Sequence, residues 1–515
     1  MLKVRTEPEF IGEFVTDESG IFQASGVSAI WCPETETDVI EALRLANQQG
    51  ILVTTSGGGT GITGGRVAVH GGVVLSTRDM REPLPREAER LEIERFGATY
   101  AVYVDRERKE AWVPAGMPLE LLADLLPAPL FYPPDPTEKT ALAGSTVATN
   151  ASGARTFHYG PTRDWVLGLR VVLPNGDLVV AERDQVKADG LSLRFSSQSG
   201  TEYEIALPNY KMPSVKNAAG LYAARGMDLV DLFIGSEGIL GVISEVHVRL
   251  AEKPEELVGQ IAFFQTEDDA LGFVDDMRAA ARAGTPVLSI EYFDANSIDF
   301  MQYEPTAGKG YCAVYVEVAG TLDDLEPLIV ALEEHNCVHD WFAETERDAK
   351  EQKEFRHSLP EGVNSYLRQH GSRKLGTDMV VPSDRFREML ALYREAGEQM
   401  AREFPRDGSH ALMFGHIGND HLHVNFVTHS PEELERAEEL YGELAKKAVA
   451  FGGTISGEHG VGKKTILVDG RRIPYLEVMV GREGLLEIAR AKKVLDPGLI
   501  LDVGNMVPAD YLAEA

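Results

Sequence analysis

Cysteine is nearly absent from this chain. Its three residues, Cys32, Cys312 and Cys337, lie far apart and form no CxxC pair. That excludes a cysteine-ligated iron–sulfur cluster or zinc ribbon within the chain and gives no disulfide framework. Positive charge is also scarce: 50 Lys and Arg against 81 Asp and Glu leave a net charge of -31. A phosphate backbone would be repelled, so nucleic acid is not an expected partner. No apolar run is long enough to span a bilayer, and the first eight residues carry no apolar leader core. The cytoplasm is the expected compartment, with a peripheral seat at the inner membrane left open. What remains is ordinary globular composition, 43% hydrophobic and 25% charged, on a chain long enough for two or three domains.

The first half alternates helix and strand signals. Thr37 to Gly50 places Val39, Ile40, Ala42, Leu43, Leu45 and Ala46 at helical spacing, with Thr37 as the expected N-cap and Gly50 as the stop. A strand, Ile51–Thr55, then runs into Ser56-Gly57-Gly58-Gly59-Thr60-Gly61-Ile62-Thr63-Gly64-Gly65, and a second strand covers Gly72–Ser76. Six glycines in ten residues do not build a core; their N–H groups can converge on a phosphate. No helix-forming run follows, so this is not the dinucleotide fingerprint. Small residues dominate again from Ala141 to Gly153, after Pro133-Pro134-Asp135-Pro136, as suits backbone lying flush against a flat ligand. In Asp231–Ile243 an expected apolar strand breaks at Gly235, Gly238 and Gly241 and resumes. Beyond residue 252 the pattern turns to strands, such as 259–264 and 311–318, alternating with helices expected over 322–336 and 431–451. This reads as a second, α+β domain with an antiparallel sheet. A last helical stretch, 481–493, stops at Asp496-Pro497.

The chemistry concentrates late. Ala411–Phe414 reads as a strand, Ile417–Asp420 as a turn, and His421–Phe426 as a strand whose alternation puts His421, His423 and Asn425 on one face. Such a hairpin returns His416 to the side of His423. Two imidazoles plus Glu458, from Ser456-Gly457-Glu458-His459-Gly460, make a three-ligand set for a divalent metal.

Together these blocks resemble the FAD-linked oxidases of the vanillyl-alcohol-oxidase/PCMH superfamily. The similarity runs from Pro33 to Val507 and lies in the branch of D-lactate dehydrogenase, glycolate oxidase large subunit and D-2-hydroxyglutarate dehydrogenase. The motifs are SGGGTG at 56–61, PPDP at 133–136, ATNASG at 148–153, YGPTRDWVLGL at 159–169, GSEGILGVI at 235–243, GHIGNDHLHVN at 415–425 and SGEHGVG at 456–462. The resemblance implies an α+β protein with a PCMH-type FAD-binding domain (1–252), an antiparallel-sheet substrate or cap domain (253–450) and a C-terminal segment (451–515) that returns to the flavin. It implies FAD on Ser56, Gly57, Gly58, Gly59, Thr60, Gly61, Pro134, Asp135, Gly144, Ser145, Ala148, Thr149, Asn150, Ser152, Gly153, Glu237, Gly238, Gly241, Val242, Ile243 and Asn505. No His or Cys stands beside the glycine loop, so the cofactor is expected to be non-covalent.

By the same resemblance His416, His423 and Glu458 hold zinc, with manganese as the alternative. His459 is the general base, Arg356 binds the substrate carboxylate, and Asn425 orients a ligand or the substrate. The implied reaction is oxidation of a D-2-hydroxy acid, D-lactate first, to the 2-oxo acid with hydride transfer to the flavin. Glycolate and D-2-hydroxyglutarate are the alternatives within the family, and a metal-dependent hydrolase is the alternative outside it. Electrons would leave for an electron-transfer flavoprotein, a cytochrome, a quinone or an iron–sulfur subunit; a homodimer is left open. Three departures from the family pattern stand out. His421 adds an imidazole, which the turn is expected to point outward. Lys374 is spaced wrongly for a family cation. The long polar stretch between Gln185 and Met227 reads as a solvated insertion.

Overall fold

The first long helix, Glu36–Gln49, begins two residues earlier than expected. Thr35 caps it by accepting from the Asp38 N–H at 3.2 Å, while the Asp38 carboxylate accepts from the Thr35 N–H at 3.1 Å. This reciprocal pair satisfies two donors that the first turn leaves open. Gly50, at φ 64°, ends the helix in the left-handed region. Its apolar face buries Val39, Leu43 and Ala46 in a core shared by the first sheet and by Val172, Leu178 and Val242 of the second. Each larger side chain contributes roughly 1.5–3 kcal/mol by leaving water.

The computed structural model describes every residue except Met1, Gln302, Glu304, Pro305, Ala307 and Thr321. Its first sheet runs Lys3–Arg5, Val27–Cys32, Gly72–Ser76, Val53–Ser56 in spatial order. The last three strands are parallel and the first is antiparallel to its neighbour. Leu501 forms a parallel bridge with Val53 at the free edge of this sheet. The second sheet has six antiparallel strands, with Val242–Arg249 between Val166–Val172 and Glu110–Pro114. The expected strand ahead of Gly235 is instead the helix Leu229–Phe233. Asp228 caps it through a 3.1 Å bond from the Val230 N–H, and tertiary burial of Leu229, Leu232 and Phe233 does the rest.

The third sheet carries seven antiparallel strands: Cys337–Phe342, Leu257–Phe264, Cys312–Ala319, Val287–Phe293, Ala411–Gly415, His423–Thr428 and Arg373–Gly376. Helices Glu267–Ala283, Glu326–Glu334, Glu346–His370, Phe386–Glu403 and Pro431–Ala450 accompany it. The helix expected over 322–336 splits into a 3-10 turn, Leu322–Leu325, and the α-helix Glu326–Glu334, with Pro327 in its first turn. The expected late helix spans Glu477–Leu495 with a kink at Gly481, where φ is 67°, and a short helix, Ala509–Glu514, follows it. Among the described residues no helix is long and apolar enough to cross a membrane.

Candidate active site

The histidine hairpin forms, with the return strand shifted two residues along the chain, at His423–Thr428. Phe414 pairs with His423 and Leu412 with Asn425. Gly415 sits at φ 138°, and a Cβ there would stand 3.1 Å from His421 O, so the bend at the strand end admits only glycine. The turn is a 3-10 segment, Ile417–Asn419, closed by Asp420 at φ 56°. Arg278 Nη2 and Ser383 Oγ both donate to the Asp420 carboxylate, which holds this non-glycine residue in the left-handed region.

The turn brings the expected trio together. His416 Nε2 stands 3.3 Å from Glu458 Oε2, and His423 Nε2 stands 3.3 Å from Glu458 Oε1. On the far side of each ring, His423 Nδ1 lies 3.0 Å from the Thr377 carbonyl, and His416 Nδ1 lies 3.0 Å from Glu291 Oε1. A proton on each Nδ1 leaves the Nε2 lone pairs turned toward Glu458, the orientation that metal-ligating imidazoles adopt. This donor set therefore fits a divalent cation. His423 and Glu458 also lie in a second grouping, with Asp378 and His459, whose donor atoms all fall within 4.8 Å of one another.

His459 Nδ1 is 3.3 Å from Asp378 Oδ2 and its Nε2 is 3.4 Å from Glu458 Oε1. Burial works against its imidazolium, but the Asp378 and Glu458 carboxylates outweigh it and raise its pKa. Asp378, which the sequence reading did not select, is the hub of the loop. Its Oδ2 accepts from Ser456 Oγ at 2.5 Å and from the His459 N–H at 2.9 Å, and its Oδ1 takes His421 Nε2 at 2.9 Å. Burial would raise this carboxyl, yet the two histidines hold it well below the usual carboxylate range.

Two expectations are corrected here. His421 does not point outward: it is fully buried between Asp378 and Lys216. Its neighbours leave no route to water, and burial together with the nearby Lys216 cation pushes its pKa down to about 3. The stretch between Gln185 and Met227 is no solvated insertion either. A hairpin, Ser192–Ser196 and Glu202–Ala206, is followed by chain that buries Ala218, Ala219 and Leu221 and carries Lys216 into the cluster.

Arg356 stacks over Tyr315 at 4.2 Å and pairs with Glu291, so it meets the cluster through the carboxylate that faces His416. Asn425 is buried beside Gly376, where a Cβ would stand 2.6 Å from its Oδ1. Lys374 is exposed and donates to Asn364 at 2.9 Å, apart from the cluster.

A cavity of about 340 Å³ adjoins this cluster, with Glu458 and His459 in its wall. Of the residues expected on the cofactor, Gly57, Gly58, Gly59, Thr60, Gly61, Gly144, Ser145, Ala148, Thr149, Ser152, Glu237, Gly238, Gly241, Val242, Ile243 and Asn505 line it. Pro134, Asp135, Asn150 and Gly153 lie outside that wall, and Ser56 is buried behind it. The physical reasons are visible. Asp135 is paired with Lys139. Asn150 accepts from Arg163 N at 3.0 Å and donates to Asn217 O at 3.1 Å. Gly153 packs on the Asp135 carbonyl so tightly that a Cβ would be 1.8 Å from it. The wall adds residues that the motifs did not single out, among them Asp17, Arg66 and Thr137. Arg66 supplies a guanidinium suited to a diphosphate. The Asn505 amide is spent on protein carbonyls, donating to Gly65 O at 3.1 Å and Glu237 O at 3.2 Å.

Gly57 faces Ser145 so closely that a Cβ there would stand 2.6 Å from the Ser145 Cβ. Gly57→Val is expected to lose FAD, read as a fall in the flavin-to-protein absorbance ratio after gel filtration, with the circular-dichroism spectrum unchanged. Full retention of the flavin would remove this loop from the cofactor wall.

Residues 27–182 match the family described as FAD binding domain, and residues 253–506 match FAD linked oxidases, C-terminal domain. The chain belongs to the FAD-linked oxidases. This FAD-linked oxidase is 28% identical to glycolate oxidase subunit GlcD of Bacillus subtilis, over 94% of this chain and 89% of that one. It is 28% identical to the D-2-hydroxyglutarate dehydrogenase of Xanthomonas citri pv. viticola, over 98% and 94%. With the D-lactate dehydrogenase of Archaeoglobus fulgidus it shares 27% identity, over 92% and 90%. Among solved structures, an alkyldihydroxyacetonephosphate synthase superimposes with a TM-score of 0.63 at 16% identity, over 97% of this chain and 81% of that one, a likeness of fold. The chain is thus an FAD-linked oxidoreductase of the group that contains D-lactate, D-2-hydroxyglutarate and glycolate enzymes.

Proposed function

We propose that this oxidoreductase converts a D-2-hydroxy acid, D-lactate foremost, to the 2-oxo acid, with non-covalent FAD and a divalent cation, zinc or manganese. One observation carries the reading: the cavity walled by the glycine loop and the small-residue block is also walled by Glu458 and His459. When bound, the flavin supplies the hydride acceptor and the cation supplies Lewis acidity toward the hydroxyl of the acid. His416, His423 and Glu458 would hold the cation. His459 takes the hydroxyl proton at Nε2, because its Nδ1 is committed to Asp378. Asp378 keeps that ring in one tautomer, and its negative charge offsets the positive charge that the ring acquires. Glu291 fixes the His416 ring from behind, and Arg356 in turn fixes Glu291. The acid's carboxylate is assigned to Arg356, whose planar fork suits it. Electrons then leave for a separate acceptor, an electron-transfer flavoprotein, cytochrome, quinone or iron–sulfur protein.

The test is anaerobic titration of purified protein with D-lactate, L-lactate, D-2-hydroxyglutarate and glycolate, followed at the flavin band. A D-acid should bleach the flavin. A chelator should slow bleaching at least about tenfold, because Lewis-acid stabilisation is worth several kcal/mol, and zinc or manganese should restore it. Protein that stays colourless after FAD addition, or a flavin that no hydroxy acid bleaches, would overturn the reading. Bleaching indifferent to chelation would remove the cation from it.

A further inference from the structure

Lys216 has no part in the reaction outlined above, yet its ammonium lies inside the ligand cluster. Nζ is 2.7 Å from Glu458 Oε2 and 3.2 Å from His421 Nδ1, and the side chain is 3% exposed. The oxygen that it holds is the one facing His416 Nε2 at 3.3 Å. His421 can accept this bond because its other nitrogen, Nε2, donates to Asp378. The backbone around Lys216 is fixed from two directions. Asn217 O accepts from Asn150 at 3.1 Å, Asn217 Oδ1 accepts from Thr454 at 2.6 Å, and the Ala218 N–H donates to Ser456 O at 2.9 Å. The lysine is therefore delivered to Glu458 by a built strap that ties the glycine-loop half of the molecule to the loop bearing Glu458. Its ammonium is engaged by Glu458 and His421 within the cluster, so the acid's carboxylate is not assigned to it.

We propose that Lys216 is a positioning residue that acts as a resident cation of the metal site. It holds the Glu458 carboxylate and the His421 tautomer in place, and it competes with the metal ion for Glu458 Oε2. The inference rests on His416, His423 and Glu458 being the ligands. A buried carboxylate without a counter-charge is unstable, so the lysine keeps the cluster organised before an ion arrives. An ammonium and a divalent ion that share one carboxylate oxygen also repel each other, so the same contact weakens metal binding.

The experiment uses chelator-treated, FAD-loaded protein and measures Mn²⁺ binding by calorimetry, together with thermal unfolding with and without the ion. Lys216→Met is expected to bind Mn²⁺ at least about tenfold more tightly than wild type, given the like-charge term removed. It should melt lower than wild type without the ion and gain more from it. Lys216→Arg, which keeps the charge, should bind near the wild-type level. Should Lys216→Met fail to fold, Lys216→Gln carries the same expectation. Glu458→Gln is run in parallel. Wild type that binds and Glu458→Gln that does not, with Lys216→Met no tighter than wild type, would overturn the role of Lys216 alone. Binding to neither wild type nor Lys216→Met would overturn the ligand assignment and this inference with it, while flavin bleaching judges the dehydrogenase reading separately.

Discussion

His459→Ala is expected to slow flavin reduction by the D-acid by about 10²–10⁴-fold, the usual worth of a positioned general base, while leaving FAD bound. The ring lies in the cavity wall, but the loop that carries it is held by backbone contacts that alanine keeps. The Gly457 N–H donates to Asp378 O at 2.7 Å, and the residue 459 N–H donates to Asp378 Oδ2 at 2.9 Å. The loss should therefore fall on the rate of bleaching at saturating acid, not on the affinity for the acid. Rapid-mixing absorbance under anaerobic conditions reads it directly. A variant that bleaches at the wild-type rate would require another base, and the structure offers no equally exposed imidazole beside Glu458 among the described residues.

The hairpin was legible because a strand's period of two is a strong signal. His423 and Asn425 alternate with Val424 and Phe426, and a glycine-rich turn precedes them. The glycine loop was legible as a ligand-facing segment because so many glycines between two strands have few other uses, and it does line the cavity. Other parts depend on contacts between distant segments. Asp378 stands 78 positions from Ser456, which it holds, and nothing in its own neighbourhood marks it. Lys216 reads as solvated because lysine usually is; only the strap through Asn217 and Ala218 turns it inward. His421 was placed on the wrong side because the turn closes at Asp420, pinned by Arg278 and Ser383, and this rotates the next residue into the interior. A local sign was available at Thr35: Asp38 follows it at the spacing of a reciprocal cap.

Asp378→Asn should be nearly as damaging as loss of His459, for a reason that a surface carboxylate would not give. The residue is 1% exposed, and both its carboxylate oxygens accept: Oδ1 from His421 Nε2, Oδ2 from Ser456 Oγ and the His459 N–H. An amide has the same shape but replaces one acceptor by a donor. If its NH₂ takes the Oδ2 position, it faces the His459 N–H, and a buried donor is left unpaired at a cost of about 1–3 kcal/mol. If it takes the Oδ1 position, His421 must move its proton to Nδ1, which then faces the Lys216 ammonium at 3.2 Å. Neither orientation satisfies the site. In both, the charge that stabilises protonated His459 is gone, so the reduction rate should fall by about 10²–10⁴-fold and the melting temperature should drop as well. Flavin content should stay near wild type, because Asp378 does not line the cavity. A reduction rate within twofold of wild type would show that His459 needs no partner at Nδ1, and the dyad would be a scaffold for the loop only.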